Sequence, residues 1–250
     1  MGAWDLYQAQ VEARGNTKRG AQLQREQHYL LTKLPDHLSY HHVKIDDVEQ
    51  DVAIINTDNL DTKFIYSLPG EDVRHGGLVE WMDNHWLITE RDYNTEVYTR
   101  AKMLQCNYLL KWVDDDNVIH EQWCIVEDGT KYLTGEYEDK QFIVTRGDSR
   151  IAITLAKNEY TVKLTRDYRF IVDDPDSSRK IAYQLTKPLK LGMSFGNDGV
   201  YKFVLQEVAT TDYDNTEEGI ADYYRHFPRP VDDTIDPDEN KTETGKKVWL

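Results

Sequence analysis

Six carboxylates sit beside four tryptophans in one stretch of the chain. Glu80, Asp83, Glu90, Asp92, Asp115 and Glu121 lie near Trp81, Trp86, Trp112 or Trp123. Cleavage of a glycosidic bond needs two carboxyl groups roughly 5–10 Å apart across a sugar subsite, and aromatic faces suit the sugar ring. In a chain with 45 acids, closeness in sequence is a weak sign of such a pair. Acids in turns are ordinarily solvated. The expectation is therefore a protein that is not an enzyme and has no catalytic residues. A hydrolase of unfamiliar class acting through these carboxylates stays open as a third reading.

Other chemistry is equally thin. His41 and His42 are adjacent, so on a strand they point to opposite faces and cannot share an ion. No HExxH, GxxxxGK[ST], GxGxxG or GxSxG pattern occurs, so neither a metal nor a cofactor is expected. The oxygen-rich run from Asp212 to Glu218 suits a hard cation such as calcium, but lacks the Gly at position six and the Glu at position twelve of an EF-hand. Acids at a helix N-terminus account for the same residues. Two cysteines, Cys106 and Cys124, are too few for a disulfide scaffold and are read as buried thiols, with cross-strand pairing or a reactive thiol as alternatives.

The elements that would hold these residues are mostly strands. Runs at Val43 to Ile45, Val52 to Ile55, Thr62 to Tyr66, Leu78 to Trp81 and Trp86 to Thr89 alternate or are apolar, with turn residues such as Asp83-Asn84 between them. The pattern fits a small barrel or sandwich. A long candidate strand from Glu96 to Trp112 loses its alternation near Leu104 to Cys106, which suggests a bulge or a strand shared by two sheets. After Asp114 to Asn117 comes Val118 to Val126, then Asp128-Gly129 and Lys131 to Tyr137. A second series follows: Phe142 to Val144, Ile151 to Leu155, Tyr160 to Lys163, Phe170 to Val172, Ile181 to Leu185, Leu191 to Phe195 and Val200 to Val208. Its turns fall at Gly147-Asp148, Asp174 to Asp176 and Gly196 to Gly199. These short strands match an immunoglobulin-like β-sandwich without the Cys-Trp-Cys core of antibody domains. A helix is expected from Thr216 to Phe227, with Thr216 as its cap.

The expected organisation is an N-terminal, partly helical arm over 1–39, a β-barrel over 40–137, a sandwich with a terminal helix over 138–229, and a flexible tail over 230–250 ending in Val248-Trp249-Leu250. That triplet reads as a docking peptide or an incidental end. The arm is Gln-rich and carries Arg14, Lys18, Arg19 and Arg25 in a stretch without acids. A segment that buries little by itself orders against a neighbour, so these four cations are candidate partner contacts; a locally packed helix is the alternative.

Net charge is −15, with 30 bases against 45 acids, which disfavours a role in coating nucleic acid because phosphate binding needs clustered cations. The imbalance is uneven: residues 35–139 hold 23 acids and 8 bases, and residues 140–190 hold 11 bases and 6 acids. No apolar run reaches the roughly 20 residues that span a bilayer, and no signal-peptide pattern opens the chain, so a cytosol-like compartment is expected.

The run Gly76-Gly77-Leu78-Val79-Glu80-Trp81-Met82-Asp83-Asn84-His85-Trp86-Leu87-Ile88-Thr89, with Tyr98 to Tyr108 after it, resembles the barrel hairpins of tailed-bacteriophage head-closure (neck, head-completion or stopper) proteins. Ile181 to Lys187 with Val200 to Val208 resembles an appended immunoglobulin-like domain of virion proteins. The resemblance implies a structural virion protein assembled in the host bacterial cytoplasm. It implies a homo-oligomeric ring between the portal or adaptor and the tail, with packaged DNA passing through its channel without sequence-specific binding, and no membrane partner. Acidic loops facing the channel would repel DNA, which makes Asp114, Asp115 and Asp116 further contact candidates. Members of that family are commonly little over 100 residues long, so the extra domain leaves the neck position open. The alternative is a carbohydrate- or peptide-binding β module with a groove lined by Trp81, Trp86, Trp112 and Trp123.

Overall fold

A computed structural model of the chain describes residues 2–13, 17–93, 95–128, 150–172, 180–190 and 194–229. Two helices lead, α1 (Ala3–Ala13) and α2 (Lys18–Lys33). Thr17 caps α2 by accepting a hydrogen bond from the Gly20 amide at 3.0 Å. A 3-10 turn at Leu34–Asp36 ends it, because the Pro35 ring cannot continue an α-helix. Gly20, Leu23, Gln27, Leu30 and Leu34 are half-buried at alternating three- and four-residue spacing, so α2 turns one stripe inward. Among the described residues no helix is long and apolar enough to cross a membrane.

Six strands then close a barrel: β1 (Tyr40–Ile45), β2 (Val48–Asn56), β3 (Thr62–Ser67), β4 (Leu78–Trp81), β5 (Asn84–Arg91) and β6 (Arg100–Gln105). Their order is β1-β2-β3-β6-β5-β4, and β4 returns to β1 through Lys44 opposite Glu80 and Ile45 opposite Val79. Alternation fills the interior with Val43, Ile45, Val52, Ile54, Ile65 and Val79, together with Trp86, Ile88 and Met103. The β4–β5 turn is centred on Met82 and Asp83, both at positive φ, one residue before the expected Asp83-Asn84. Asn84 instead opens β5 and donates from its side chain to the Met82 carbonyl at 2.7 Å.

A second sheet is built from β7 (Tyr108–Val113), β8 (Ile119–Asp128), β9 (Arg150–Ala156), β10 (Arg169–Val172), β11 (Ile181–Leu189), β12 (Ser194–Phe195) and β13 (Asp198–Val208). It runs β10-β11-β13-β9-β8-β7, with β12 paired to β13. The chain is thus mostly β, with a barrel, a second β unit and a helical N-terminal segment, as expected. The second unit differs from the expected sandwich in one respect. Its strands form one continuous sheet that curls until its edges meet, where Tyr108 of β7 donates to the Ile171 carbonyl of β10 at 3.3 Å. Phe170, Phe203, Leu155, Leu185, Leu205 and Trp112 fill the space enclosed.

The boundary between the sheets also differs from the expected 137/138. Cys106 N–H still donates to His85 in the barrel (2.8 Å), and Asn107 N–H already donates to Cys124 in β8 (3.1 Å). The Asn107 side chain completes the transfer by donating to the Val126 carbonyl and accepting from the Val126 amide, each at 2.8 Å. The lapse in alternation near Cys106 marks the break between β6, in the barrel, and β7, in the second sheet, so β7 and β8 belong to the second unit. Cys106 and Cys124 are free and buried there, and burial pushes the Cys106 thiol up to about 12.

Two other expectations change. Tyr160 to Lys163 is a 3-10 turn at Thr161–Lys163 rather than a strand, because the Asn158 side chain accepts from the Tyr160 and Thr161 amides (3.0 and 2.7 Å). The helix expected from Thr216 shrinks to α3 (Tyr223–His226): Asn215, not Thr216, accepts from the Glu217 and Glu218 amides, and Asp222 at φ 54 interrupts the backbone. The expected strands at Lys131 to Tyr137 and Phe142 to Val144, the turns at 147–148 and 174–176, the tail 230–250 and Arg14 lie outside the described residues.

The two sheets meet along an apolar seam of Leu87, Cys106, Ile125, Ala156 and Val200, flanked by Leu78, Leu104 and Trp123. Gly199 N–H donates to the His75 carbonyl across it at 2.9 Å. The backbones approach so closely that a Cβ on Gly76 would stand 2.0 Å from the Gly199 oxygen.

Candidate functional site

The arm is where the molecule exposes what it would ordinarily bury. In α1, Trp4, Tyr7 and Val11 are 68%, 57% and 38% exposed, although their spacing puts them on one helix face. The Trp4 and Tyr7 rings pack on each other at 5.7 Å. In α2 the half-buried stripe faces inward, while Lys18, Gln22, Arg25 and Tyr29 are exposed at i, i+4, i+7 and i+11. No residue of α2 is fully buried. Of the cations singled out in the sequence, Lys18 and Arg25 lie on this outer face, and Arg19 is held in an ion pair with Glu96.

The acidic turn is a separate surface, and only part of it is accessible. Asp114 is buried: its carboxylate accepts from the Asp116 and Val118 amides, each at 2.9 Å, and contacts His120 Nε2 at 2.7 Å. The His120 contact, with the two amides, holds its pKa below the usual carboxylate range. A contact role for Asp114 is therefore corrected to that of a turn-former, because its lone pairs are already used. Asp115 and Asp116 remain exposed, and Asp116 pairs with Lys163 at 3.2 Å. The arm and this turn are not brought together: α2 adjoins the turn after it and Glu96, whereas the acidic turn is tied to Lys163 and, through Asn117, to His226 at 2.6 Å.

The tryptophans divide among three places. Trp86 is buried in the barrel beside half-buried Trp81, their ring centroids 5.9 Å apart at 51°; Trp112 is in the second core. Trp123 lies at the seam, stacked on His85 at 4.2 Å and 14°. None of the four forms a coplanar exposed pair with another, so they line no common groove. Two of the six carboxylates beside them are engaged with cations: Glu90 with Lys102 at 3.1 Å and Glu121 with Lys111 at 2.7 Å.

An open cleft of about 510 Å³ does exist where the β4–β5 turn leaves β1, lined by Trp81, Glu49, Glu80, His42 and His85 among others. Pairing of β1 with β4 covers only Lys44 and Ile45, and the left-handed turn at Met82-Asp83 carries the chain away. Asp51 at 2.7 Å and Glu49 at 3.5 Å raise the His42 pKa. Among the described residues, no group of three or more His, Cys, Asp or Glu side chains is gathered to hold a metal. In the loop that suggested calcium, Asp214 is fully engaged by Arg169 and by the Thr211 and Asp222 amides.

Sequence reasoning missed the α1 stripe and Arg169. The first was legible as Trp4, Tyr7 and Val11 at i, i+3 and i+7. The second carried no local signal, since its partners are some 40 to 50 positions away in the chain.

Residues 16–105 match the model of the YomX N-terminal domain family. The match covers α2 and the whole closed barrel and stops at the end of β6, where the second sheet begins. No curated protein and no solved structure matches the chain. The chain is similar to the YomX N-terminal domain over α2 and the barrel, and that likeness suggests a phage-associated protein.

Proposed function

We propose that this chain is a structural virion protein of a tailed phage that acts by homo-oligomeric assembly, its ring closing the head at the neck between portal or adaptor and tail. The observation that carries the reading is the arm. A helix of 11 residues is marginal in water on its own, and α1 leaves Trp4, Tyr7 and Val11 exposed, so a neighbour is needed to cover them. The YomX-like match over α2 and the barrel supports a phage setting. The separation of the tryptophans supports contacts rather than ligand chemistry as the working principle. Exposed Asp115 and Asp116, in a chain of net charge −15, suit a surface past which DNA slides.

Two measurements test the proposal. Native mass spectrometry of the purified full chain is expected to show a closed oligomer. Antibody labelling of purified particles by electron microscopy is expected to place the protein at the head–tail junction. A strict monomer that binds glycans, or label confined to the tail fibres or the capsid shell, would falsify it.

A further inference from the structure

We propose that α1 of one subunit packs along the outer face of α2 of the next subunit, laying Trp4, Tyr7 and Val11 against Lys18, Arg25 and Tyr29. This rests on the assembly reading above and names the two surfaces that make the contact. Both faces are unpartnered among the described residues, and they are chemically complementary. The α1 sequence has acids and no base, with Asp5 in its first turn. The α2 sequence has four bases, Lys18, Arg19, Arg25 and Lys33, and one acid, Glu26. Opposite charge steers the two helices together.

The aromatic stripe adds a second complementarity, because an indole or phenol face attracts a guanidinium or ammonium placed over it. The chain already uses that contact internally: the Arg100 guanidinium lies 4.3 Å from the Phe64 ring centre, and that of Arg91 lies 4.8 Å from Tyr93. Tyr29, 58% exposed at the far end of the α2 face, supplies apolar area for Val11 or Tyr7. The inner stripe of α2 is turned away, so docking on the outer face leaves the helix's own packing intact. A contact between two different faces is heterologous, so repeating it from subunit to subunit builds a ring when the rotation closes.

Complementation between two variants tests this directly. Trp4→Ala/Tyr7→Ala removes the stripe with a good helix former and leaves α2 whole; Lys18→Glu/Arg25→Glu reverses the α2 face and leaves α1 whole. By native mass spectrometry each variant alone is expected to be monomeric, with self-association weakened at least tenfold and the β circular dichroism unchanged. Mixed at equal concentration, they are expected to form a one-to-one heterodimer and nothing larger, since only one α1 and one α2 face remain competent. If the parent chain assembles but the mixture stays monomeric, or if Trp4→Ala/Tyr7→Ala still assembles, this pairing is wrong and the assembly reading stands. A parent chain that is monomeric at every concentration, as when α1 folds back on its own α2, overturns both.

Discussion

Arg169 and Asp214 form a fork-to-fork pair inside the second unit, with contacts at 3.0 and 2.8 Å, and the Asp214 side chain is fully buried. Burial pushes the Asp214 pKa upward, but the Asp222 and Thr211 amides and the Arg169 guanidinium outweigh it, so the group is held below the usual carboxylate range. A depressed folded-state pKa contributes stability that is present above the ordinary aspartate value and lost as pH falls through the folded value. Asp214→Asn leaves the Arg169 guanidinium with Asp222 as its remaining carboxylate at 3.1 Å, and urea unfolding at neutral pH is expected to show a loss of about 1–3 kcal/mol. The gap to the parent chain is expected to narrow in the same measurement as pH drops below about 4, the ordinary aspartate value. A gap that stays constant with pH would show that Asp214 acts by shape alone. Gly76 is the other single position on which much depends. With φ at 84 and Gly199 pressed against it, Gly76→Ala demands that the seam open, and thermal melting is expected to fall well beyond the effect of an ordinary surface substitution.

At the scale of elements, α2 rests on the body by a half-buried stripe and contributes no fully buried residue to its core. It adjoins the turn that follows it and is paired to Glu96 through Arg19. Deleting residues 1–34 is therefore expected to leave the β circular dichroism and the melting of the body nearly unchanged while weakening self-association. Loss of the β signal would show the arm to be part of the core. Much of this organisation was legible beforehand. The strands from Tyr40 to Gln105 announced themselves by alternation, and Pro35 marked the end of α2. The short helix at Tyr223–His226 was not legible, because the acids at Glu217 and Glu218 imitate a helix start while Asn215 uses the same amides to form a turn.

For the whole molecule, the decisive feature is the seam. Leu87 is fully buried between the barrel and the second sheet, where side chains from both units touch it. Leu87→Ala is expected to cost about 2–5 kcal/mol, and calorimetry is expected to show a single transition that moves as one. Two separate transitions, with only one shifted, would mean that the seam does not couple the sheets. Coupling across the seam would let neighbours pull on one unit without hinging it against the other.

The sequence by itself determined the β class, a helical N-terminal segment and the absence of recognisable catalytic patterns, while near Cys106 it left a bulge or a shared strand open and put the change of unit at 137/138. These rest on side-chain period, turn chemistry and composition, all of which are local. Only the tertiary structure decided that Asp114 faces inward, that the tryptophans occupy three separate places, that the second series of strands curls into one sheet, and that Arg169 closes on Asp214. Each of these depends on partners brought together from distant positions, such as Tyr108 with Ile171 and Gly76 with Gly199. Local pattern says which face of a strand is apolar; which other strand that face meets is settled only when the sheets close.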